Sequence, residues 1–298
     1  HQKRELVAKG NGDYAGATSA IYDVDAICLA KAYVTAGIER GVGLGQGPGP
    51  VVHTGFPSTY QHYPTVATDP TSSMDSFRPM AAASSPSAGG DADRIGRLLP
   101  IVDTVEWVEK LANTPGIEDI QLRIKDTEDP GIILERVQRC QATCKQAGVR
   151  LWINDHWESA IEAGCYGVHV GQEDLVKCLA QDGLKRLRSH NMALGISTHS
   201  YGELAAALGV KPSYISLGPV FGTKSKKVAF DAQGLGVVKK WRQLLPPTIP
   251  FVVIGGIGDP QAARSVREAG ADVSAVIGAI TQAKDMEEAV RSLNEAMQ

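Results

Sequence analysis

Residues 151–171 read LWINDHWESAIEAGCYGVHVG and contain one complete strand–helix–strand unit. The apolar runs Leu151–Asp155 and Gly167–Gly171 have the length and composition of buried parallel strands. Between them, His156–Ala163 has the composition of a helix, and Gly164 supplies the glycine that often follows one. Neighbouring parallel strands need such a crossover helix. This stretch therefore predicts a βαβ unit within a parallel sheet.

The same alternation extends along the chain from residue 99 to residue 297. Eight apolar runs alternate with eight helical stretches, which predicts an α/β fold of the (β/α)8 TIM-barrel type. A doubly wound open sheet is the alternative, and the lack of GxGxxG after the first strand disfavours it. The predicted strands are Leu99–Asp103, Asp119–Arg123, Leu151–Asp155, Gly167–Gly171, Leu194–Thr198, Tyr214–Val220, Phe251–Ile257 and Ala275–Ile280. The predicted helices are Thr104–Asn113, Pro130–Ala147, His156–Ala163, Leu175–His190, Ser200–Leu208, Leu235–Leu245, Asp259–Ala269 and Asp285–Met297.

The chain has a different character before residue 93. Residues 1–78 predict an incomplete helix-plus-loop segment, because the single helix Asp25–Glu39 and its loops cannot bury a core alone. Residues 79–92 are mostly small, polar and turn-rich, which predicts a flexible linker. The barrel then occupies residues 93–298. We expect residues 1–90 to be dispensable for the chemistry of the barrel.

Composition and charge narrow the function classes. The formal net charge of the 298-residue chain is −3, so no broad nucleic-acid or anionic-membrane surface is expected. No apolar run reaches about 18 residues and no leader pattern is visible, so neither a transmembrane helix nor a signal peptide is expected. The five cysteines are odd in number and lack zinc-site spacing, which favours reduced thiols in the cytoplasm. We expect small-molecule substrates as partners, and the sequence leaves homo-oligomer formation undecided.

Two cationic side chains follow the second predicted strand. Alternation along Gln121-Leu-Arg-Ile-Lys125 puts Gln121, Arg123 and Lys125 on one face of the chain. In such barrels the chemistry collects at the carboxyl ends of the strands. Two cations directed there need an anion, and a substrate phosphate supplies one. An internal charge pair is the structural alternative.

Acidic residues follow the next two predicted strands. Asn154 and Asp155 end the third strand, and Asp174 lies shortly after the fourth. Carboxylates at neighbouring strand ends are suitable ligands for Mg²⁺. Either aspartate alone could instead cap the helix that follows it. With the neighbouring cations, the pattern favours a metal and a phosphate together.

Glycines mark the last two strands. Gly255 and Gly256 follow the seventh strand, and Gly278 lies in the eighth, where turns commonly hold a phosphate. The glycine, hydroxyl and lysine residues of 218–227 suit a mobile lid, although a solvated basic loop explains them too. The residues thus predict two phosphate-type sites with Mg²⁺ between them. Such a site suits displacement of pyrophosphate by a second phosphorylated substrate.

The barrel resembles the thiamin phosphate synthase family from end to end. The resemblance implies a (β/α)8 barrel that joins hydroxymethylpyrimidine diphosphate to a thiazole phosphate and releases pyrophosphate. The motifs that carry it are PIVD at 100–103, QLRIKD at 121–126, IND at 153–155, YGVHVGQEDL at 166–175, GISTH at 195–199, GPVFGTKSKK at 218–227, IGGI at 254–257 and VIGAI at 276–280.

The resemblance also implies roles for single residues. Asp155 and Asp174 would hold Mg²⁺, which is the expected cofactor. Arg123, Lys125 and Asn154 would bind the diphosphate, with further contacts from Ser197 and Lys226, and Gln121 would be a further substrate-binding residue. The catalytic residues among them would be Arg123, Lys125, Ser197 and Lys226. Pyrophosphate would leave first, and the thiazole nitrogen would capture the pyrimidine-stabilised cation.

The thiazole phosphate would lie at the other side of the site. Its implied contacts are Thr223, Ser225 and Gly256, together with Ile277 and Gly278 at the turn of the eighth strand. Gly278 stands where the family commonly has serine, so one hydroxyl contact is lost and the backbone N–H remains. The lid also departs from the family pattern at Lys224-Ser225. We expect modest effects on affinity from both departures.

Two further resemblances define the alternatives. Residues 30–38 and 43–53 resemble the C-terminal end of hydroxymethylpyrimidine phosphate kinase, which is fused ahead of the synthase in some bifunctional proteins. Most of the kinase core is missing, so no kinase activity is expected. A thiazole tautomerase-like barrel with His199 as acid or base is one competing function. A non-catalytic interaction protein is the other.

Overall fold

The computed structural model describes residues 23–47, 49–67, 75–82, 93–222 and 231–298. Eight parallel strands form a closed barrel, which confirms the predicted (β/α)8 fold. Two further short strands, β1 (Met80–Ala82) and β2 (Asp93–Ile95), pair with each other ahead of it. The barrel strands are β3 (Leu98–Val102), β4 (Asp119–Leu122), β5 (Arg150–Asn154), β6 (Gly167–Val170), β7 (Ala193–Thr198), β8 (Tyr214–Leu217), β9 (Phe251–Ile254) and β10 (Val273–Val276).

Helices surround the barrel and join its strands. Among the described residues they are α1 (Asp23–Glu39), α2 (Val105–Ala112), α3 (Pro130–Ala147), α4 (Trp157–Glu162), α5 (Gln172–Ala180), α6 (Gly183–Ser189), α7 (Tyr201–Val210), α8 (Gly234–Leu244), α9 (Pro260–Glu268), α10 (Gly278–Thr281) and α11 (Met286–Ala296). None of the described helices is long and apolar enough to cross a membrane. A short 3-10 helix, Tyr60–His62, lies in the N-terminal segment.

Local chemistry explains where the best-defined helix begins and ends. The Asp129 side chain accepts hydrogen bonds from the N–H groups of Gly131 and Ile132, and Pro130 occupies the first turn of α3. Gly148 ends the helix in the left-handed conformation, with φ of 72°. The chain then enters β5 directly, so the cap also fixes the start of the next strand.

The predicted sixth and seventh strands end earlier in the structure, at Leu217 and Ile254, and two further predicted elements differ more. The single helix Leu175–His190 is wrong, because α5 and α6 are separate and Asp182 between them has a left-handed φ of 54°. A side chain at Gly183 would collide with Cys178, so the break also lets α6 pack closely. The eighth strand ends at Val276 instead of Ile280, because the chain turns at Gly278 into the short helix α10.

The N-terminal segment packs on the outside of the barrel against α7. The Asp25 carboxylate accepts a 2.7 Å hydrogen bond from the Gly202 N–H, and the Tyr63 hydroxyl donates a 2.6 Å bond to the Tyr201 carbonyl. The buried face of α1 includes Cys28 and Ala32. The larger apolar residues of this helix lie on its other side and are exposed: Val24, Ile27, Val34 and Ile38.

Part of the predicted linker is a buried strand. Residues 80–82 form β1, which pairs in parallel with β2 in the register Met80 to Asp93. Met80 is 3% exposed and belongs to the same apolar cluster as Trp152 and Tyr214 inside the barrel. The linker assignment is therefore wrong for residues 80–82, because small side chains also suit a closely packed strand. Residues 83–92 lie outside the described residues.

All five cysteines are buried and unpaired. Burial raises the pKa of the Cys140, Cys144 and Cys178 thiols to about 12. These thiols are therefore protonated and unreactive near neutral pH.

The first prediction concerns Met80. Met80→Ala should lower the free energy of unfolding by about 2–5 kcal/mol, because it leaves a cavity at the barrel interior. Urea unfolding followed by circular dichroism measures the change. The control is Val176→Ala on α5, since Val176 is 65% exposed and its truncation should cost at most about 0.5 kcal/mol. Equal urea midpoints for Met80→Ala and Val176→Ala would mean that residues 80–82 behave as a linker.

Candidate active site

A pocket opens at the carboxyl ends of the barrel strands. Its wall combines polar strand-end side chains with the glycine turns after β9 and β10. Seven of the residues predicted from the sequence line it: Gln121, Arg123, Asn154, Ser197, Gly256, Ile277 and Gly278. The predicted residues Thr223, Ser225 and Lys226 lie outside the described residues. The pocket lies at the end of the barrel that the sequence analysis indicated, but the predicted residues Lys125, Asp155 and Asp174 are not among those that line it.

The two cations after β4 have different environments. Arg123 is half-buried and lines the pocket, and its backbone N–H donates a 2.7 Å hydrogen bond to Val102 O. Its guanidinium has no ion-pair partner within the part of the chain that the structure describes. Lys125 is more exposed and donates a 2.6 Å hydrogen bond from Nζ to Asp155 Oδ2. Arg123 is thus a cation available to a substrate anion, whereas Lys125 already has a carboxylate partner.

Asp155 has an unusual backbone conformation. Its φ is 66°, in the left-handed region that few non-glycine residues adopt, and its N–H donates a 2.9 Å bond to His169 O. Its Oδ2 accepts hydrogen bonds from both Lys125 and the Asn154 amide. Strained backbone of this kind is often found at functional sites.

Neither aspartate caps a helix. The residue before α4 is His156, which makes no side-chain cap bond, and the residue before α5 is Gly171. Asp174 lies in the first turn of α5 and accepts a 2.8 Å hydrogen bond from Lys177. The capping alternative is therefore wrong for both residues.

The donor set fits Mg²⁺. No group of three or more His, Cys, Asp or Glu side chains arranged to hold a metal occurs among the described residues. Mg²⁺ commonly keeps several waters and binds through one or two carboxylates together with substrate phosphates. Asp155 and Asp174 would supply such carboxylates, and the pKa of Lys177 is raised chiefly by its hydrogen bond to Asp174, with Asp155 adding to the rise. These residues suit a metal that is completed by a phosphorylated ligand.

A hydrogen-bonded row inside the barrel was missed by the sequence analysis. His169 on β6 lies 2.8 Å from the Tyr214 hydroxyl through Nδ1 and 2.8 Å from Ser197 Oγ through Nε2. His169 and Tyr214 both line the pocket. Alternation along β8 could have indicated that Tyr214 faces inward. The contact itself depends on the register, which aligns His169 with Gly195 of β7 and Gly195 with Tyr214.

The turn after β9 depends on its glycines. Gly255 and Gly256 have φ of 100° and 71°. The Gly255 carbonyl accepts a 2.9 Å hydrogen bond from the Phe221 N–H, so this turn packs against the loop after β8. Side chains at either glycine would collide with that loop. The two glycines therefore allow this close packing, and both line the pocket.

His199 also lines the pocket. The Glu203 carboxylate accepts a 2.6 Å bond from the His199 backbone N–H and lies 3.0 Å from the ring Nδ1. The imidazole is thereby held in one orientation. The tautomerase-like alternative would use this ring as acid or base.

The closed parallel barrel with its pocket at the carboxyl ends of the strands defines a (β/α)8-barrel enzyme. Comparison with known proteins identifies the family within this class of enzymes. The family model for thiamine monophosphate synthase matches residues 98–280. The chain belongs to this family.

Relatives and solved structures agree with this assignment. The chain is 42% identical over 198 residues to a thiamine-phosphate synthase from Rhizobium etli, which is 66% of this chain and 93% of that protein. It is 42% identical over 200 residues to the one from Salmonella typhimurium, covering 67% of this chain and 90% of that protein. Its fold is similar to the thiamine phosphate pyrophosphorylase from Pyrococcus furiosus, with TM-score 0.57, 26% identity and coverage of 67% and 95%.

The second prediction concerns the β9 turn. Gly256→Ala should lower kcat/KM by about 10-fold or more, because its Cβ would lie 2.6 Å from Gly222 O and displace the pocket wall. Steady-state kinetics measures the loss. Gly236→Ala is the matched control, since Gly236 in α8 has open space around it and an ordinary helical φ. Unchanged kinetics in Gly256→Ala would show that the turn can shift without consequence for the pocket.

Proposed function

We propose that the pocket joins hydroxymethylpyrimidine diphosphate to a thiazole phosphate, which forms thiamin phosphate and releases pyrophosphate. The observation that carries this proposal is the half-buried Arg123 guanidinium, unpaired within the described residues and facing the same pocket as the glycine turn at Gly256. A cation and an open backbone turn at two sides of one cavity suit two phosphorylated substrates. Membership of the family supports the same reaction.

Charge explains the arrangement at the diphosphate side. The substrate brings about three negative charges to a site that already contains Asp155 and Asp174. Arg123 and Lys125 offset only part of this charge, so the site requires a divalent cation to accept the substrate. Mg²⁺, held by the two aspartates, would stabilise the negative charge that develops on the departing pyrophosphate. Lys125 is already within hydrogen-bond distance of Asp155, so it is placed to hold that carboxylate in position.

The remaining residues of this side orient the diphosphate. Asn154 and Ser197 both line the pocket, and Asn154 is 8% exposed. Polar side chains fixed in this way position the leaving group without needing to move during the reaction. Departure of pyrophosphate leaves a cation on the pyrimidine methylene carbon, and the thiazole nitrogen forms the new C–N bond to that carbon.

The thiazole phosphate would lie against the turns after β9 and β10. Gly256 and Gly278 both line the pocket there. A Cβ at Gly278 would meet only the Gln282 side chain, at 3.5 Å. The space for a serine is therefore retained, although this chain contacts the ligand at Gly278 through backbone alone.

We also propose that the N-terminal segment takes no part in the reaction. Its resemblance to the end of a kinase stays a prediction, and the family match begins only at residue 98. The buried contacts of Cys28, Tyr63 and Met80 indicate a role in stability. We propose the cytoplasm as the compartment, in keeping with five unpaired cysteines.

The third prediction concerns the metal. Asp155→Asn should lower kcat/KM by about 100-fold, because it removes one preorganised charge while asparagine still tolerates the left-handed backbone. Wild-type activity should vanish with a chelator and return with Mg²⁺. Formation of thiamin phosphate is measured as Mg²⁺ is varied, and thermal unfolding of the same samples is recorded.

The matched control is Asp126→Asn. Asp126 is exposed, pairs with Arg136 of α3 and does not line the pocket, so its loss should leave kinetics unchanged. Full wild-type activity in chelator, or Asp155→Asn kinetics equal to the control, would contradict the metal assignment.

A further inference from the structure

His169 lies between two hydroxyl groups in the barrel interior. Its Nδ1 is 2.8 Å from Tyr214 Oη, and its Nε2 is 2.8 Å from Ser197 Oγ. The His169 ring is 8% exposed, and it stacks on the Tyr214 ring at an interplanar angle of 18°. Both contacts have the length of ordinary hydrogen bonds, so in the neutral ring the nitrogen that carries the proton decides whether each hydroxyl donates or accepts.

Tyr214 fixes that position. It is fully buried, and burial raises the pKa of its hydroxyl, with the Asp119 carboxylate adding to the rise and the Gln121 side chain opposing it. The phenol therefore stays protonated, and a buried O–H needs an acceptor. The imidazole nitrogen beside it, Nδ1, serves as that acceptor when the ring proton is on Nε2.

The tautomer of His169 determines the orientation of the Ser197 hydroxyl. With the proton on Nε2, the ring donates to Ser197 Oγ, and the serine hydroxyl hydrogen is left to point elsewhere. Ser197 is half-buried and lines the pocket, with Ser216 Oγ 3.3 Å away. If the ring proton were on Nδ1 instead, the Ser197 hydroxyl would donate to Nε2. Only the lone pairs of Ser197 Oγ would then face the pocket. Lone pairs facing phosphate oxygens would repel the substrate.

We propose that His169 is a positioning residue. Held by Tyr214 as the Nε2–H tautomer, it fixes the Ser197 hydroxyl as a hydrogen-bond donor to the diphosphate. This inference rests on the proposed function for the nature of the ligand. No covalent step passes through His169.

Nuclear magnetic resonance tests the tautomer without any substrate. In ¹⁵N-histidine-labelled protein, long-range ¹H–¹⁵N correlation separates protonated from unprotonated ring nitrogens, and loss of signals in His169→Gln assigns them. We expect an unprotonated Nδ1 and a protonated Nε2 near neutral pH. We also expect Tyr214→Phe to give a mixture of tautomers. A ring protonated on Nδ1 in the wild-type chain would overturn the proposal.

A double-mutant cycle tests the action through Ser197. The probe is inorganic pyrophosphate with Mg²⁺, and calorimetry gives its affinity. His169→Asn and Ser197→Ala should each weaken binding by about 10–100-fold, the loss expected for one hydrogen bond to a charged group. The double variant should bind no more weakly than Ser197→Ala alone. His169→Gln places an amide N–H near the position of Nε2, so it should restore affinity to within about five-fold of wild type.

Controls separate this proposal from loss of folding and from the proposed function. Thermal unfolding shows whether each variant is folded. The control His190→Asn changes an exposed histidine at the C-terminal end of α6, and it should bind pyrophosphate as the wild type does. Additive losses in the double variant, unchanged affinity in His169→Asn, or no pyrophosphate binding by the wild-type chain would overturn the proposal. Thiamin phosphate formation is measured in parallel. Its absence, with the expected tautomer and coupling present, would contradict the proposed function alone.

Discussion

Pairing of the last barrel strand with the first is the constraint on which the site depends. Ser274 and Val276 of β10 lie in register with Leu98 and Pro100 of β3, which closes the sheet. Because all eight strands are parallel, closure brings every carboxyl end to one mouth. Side chains far apart in the sequence, such as Arg123 and Gly256, then line one pocket. The apolar cluster that Met80 joins lies inside the barrel and includes Leu99, Ile101 and Tyr214 of the pocket wall.

The mouth is built from charges that are mostly compensated. Asp155 and Asp174 each lie beside a lysine, at 2.6 Å and 2.8 Å, whereas Arg123 has no such partner within the described residues. In the proposed reaction, each carboxylate would exchange its lysine contact for a contact with the metal. The unpaired guanidinium provides a cation for the incoming anion. The left-handed backbone at Asp155 is strained, and Asp155 is one of the two residues whose contacts this exchange would change.

The alternation of apolar runs and helices was enough to predict the barrel, because each strand–helix unit repeats the same burial pattern. The strand ends near Leu217 and Ile254 were less predictable, since glycines and prolines beyond them turn the chain outward while the sequence stays apolar. Met80 was assigned to a linker because small residues suit both a loop and a tight strand. The contact of His169 with Tyr214 could not be predicted, because it joins two strands that are not neighbours in the barrel.

In the proposed reaction, departure of pyrophosphate and capture by the thiazole nitrogen take place at one mouth of the barrel. The most direct measurement follows pyrophosphate and thiamin phosphate together in a reaction of the full chain with hydroxymethylpyrimidine diphosphate, thiazole phosphate and Mg²⁺. We expect equal amounts of pyrophosphate and thiamin phosphate at all times. We also expect little release of pyrophosphate when thiazole phosphate is omitted. Rapid pyrophosphate release without thiamin phosphate, or no turnover of the complete mixture, would contradict the proposed reaction.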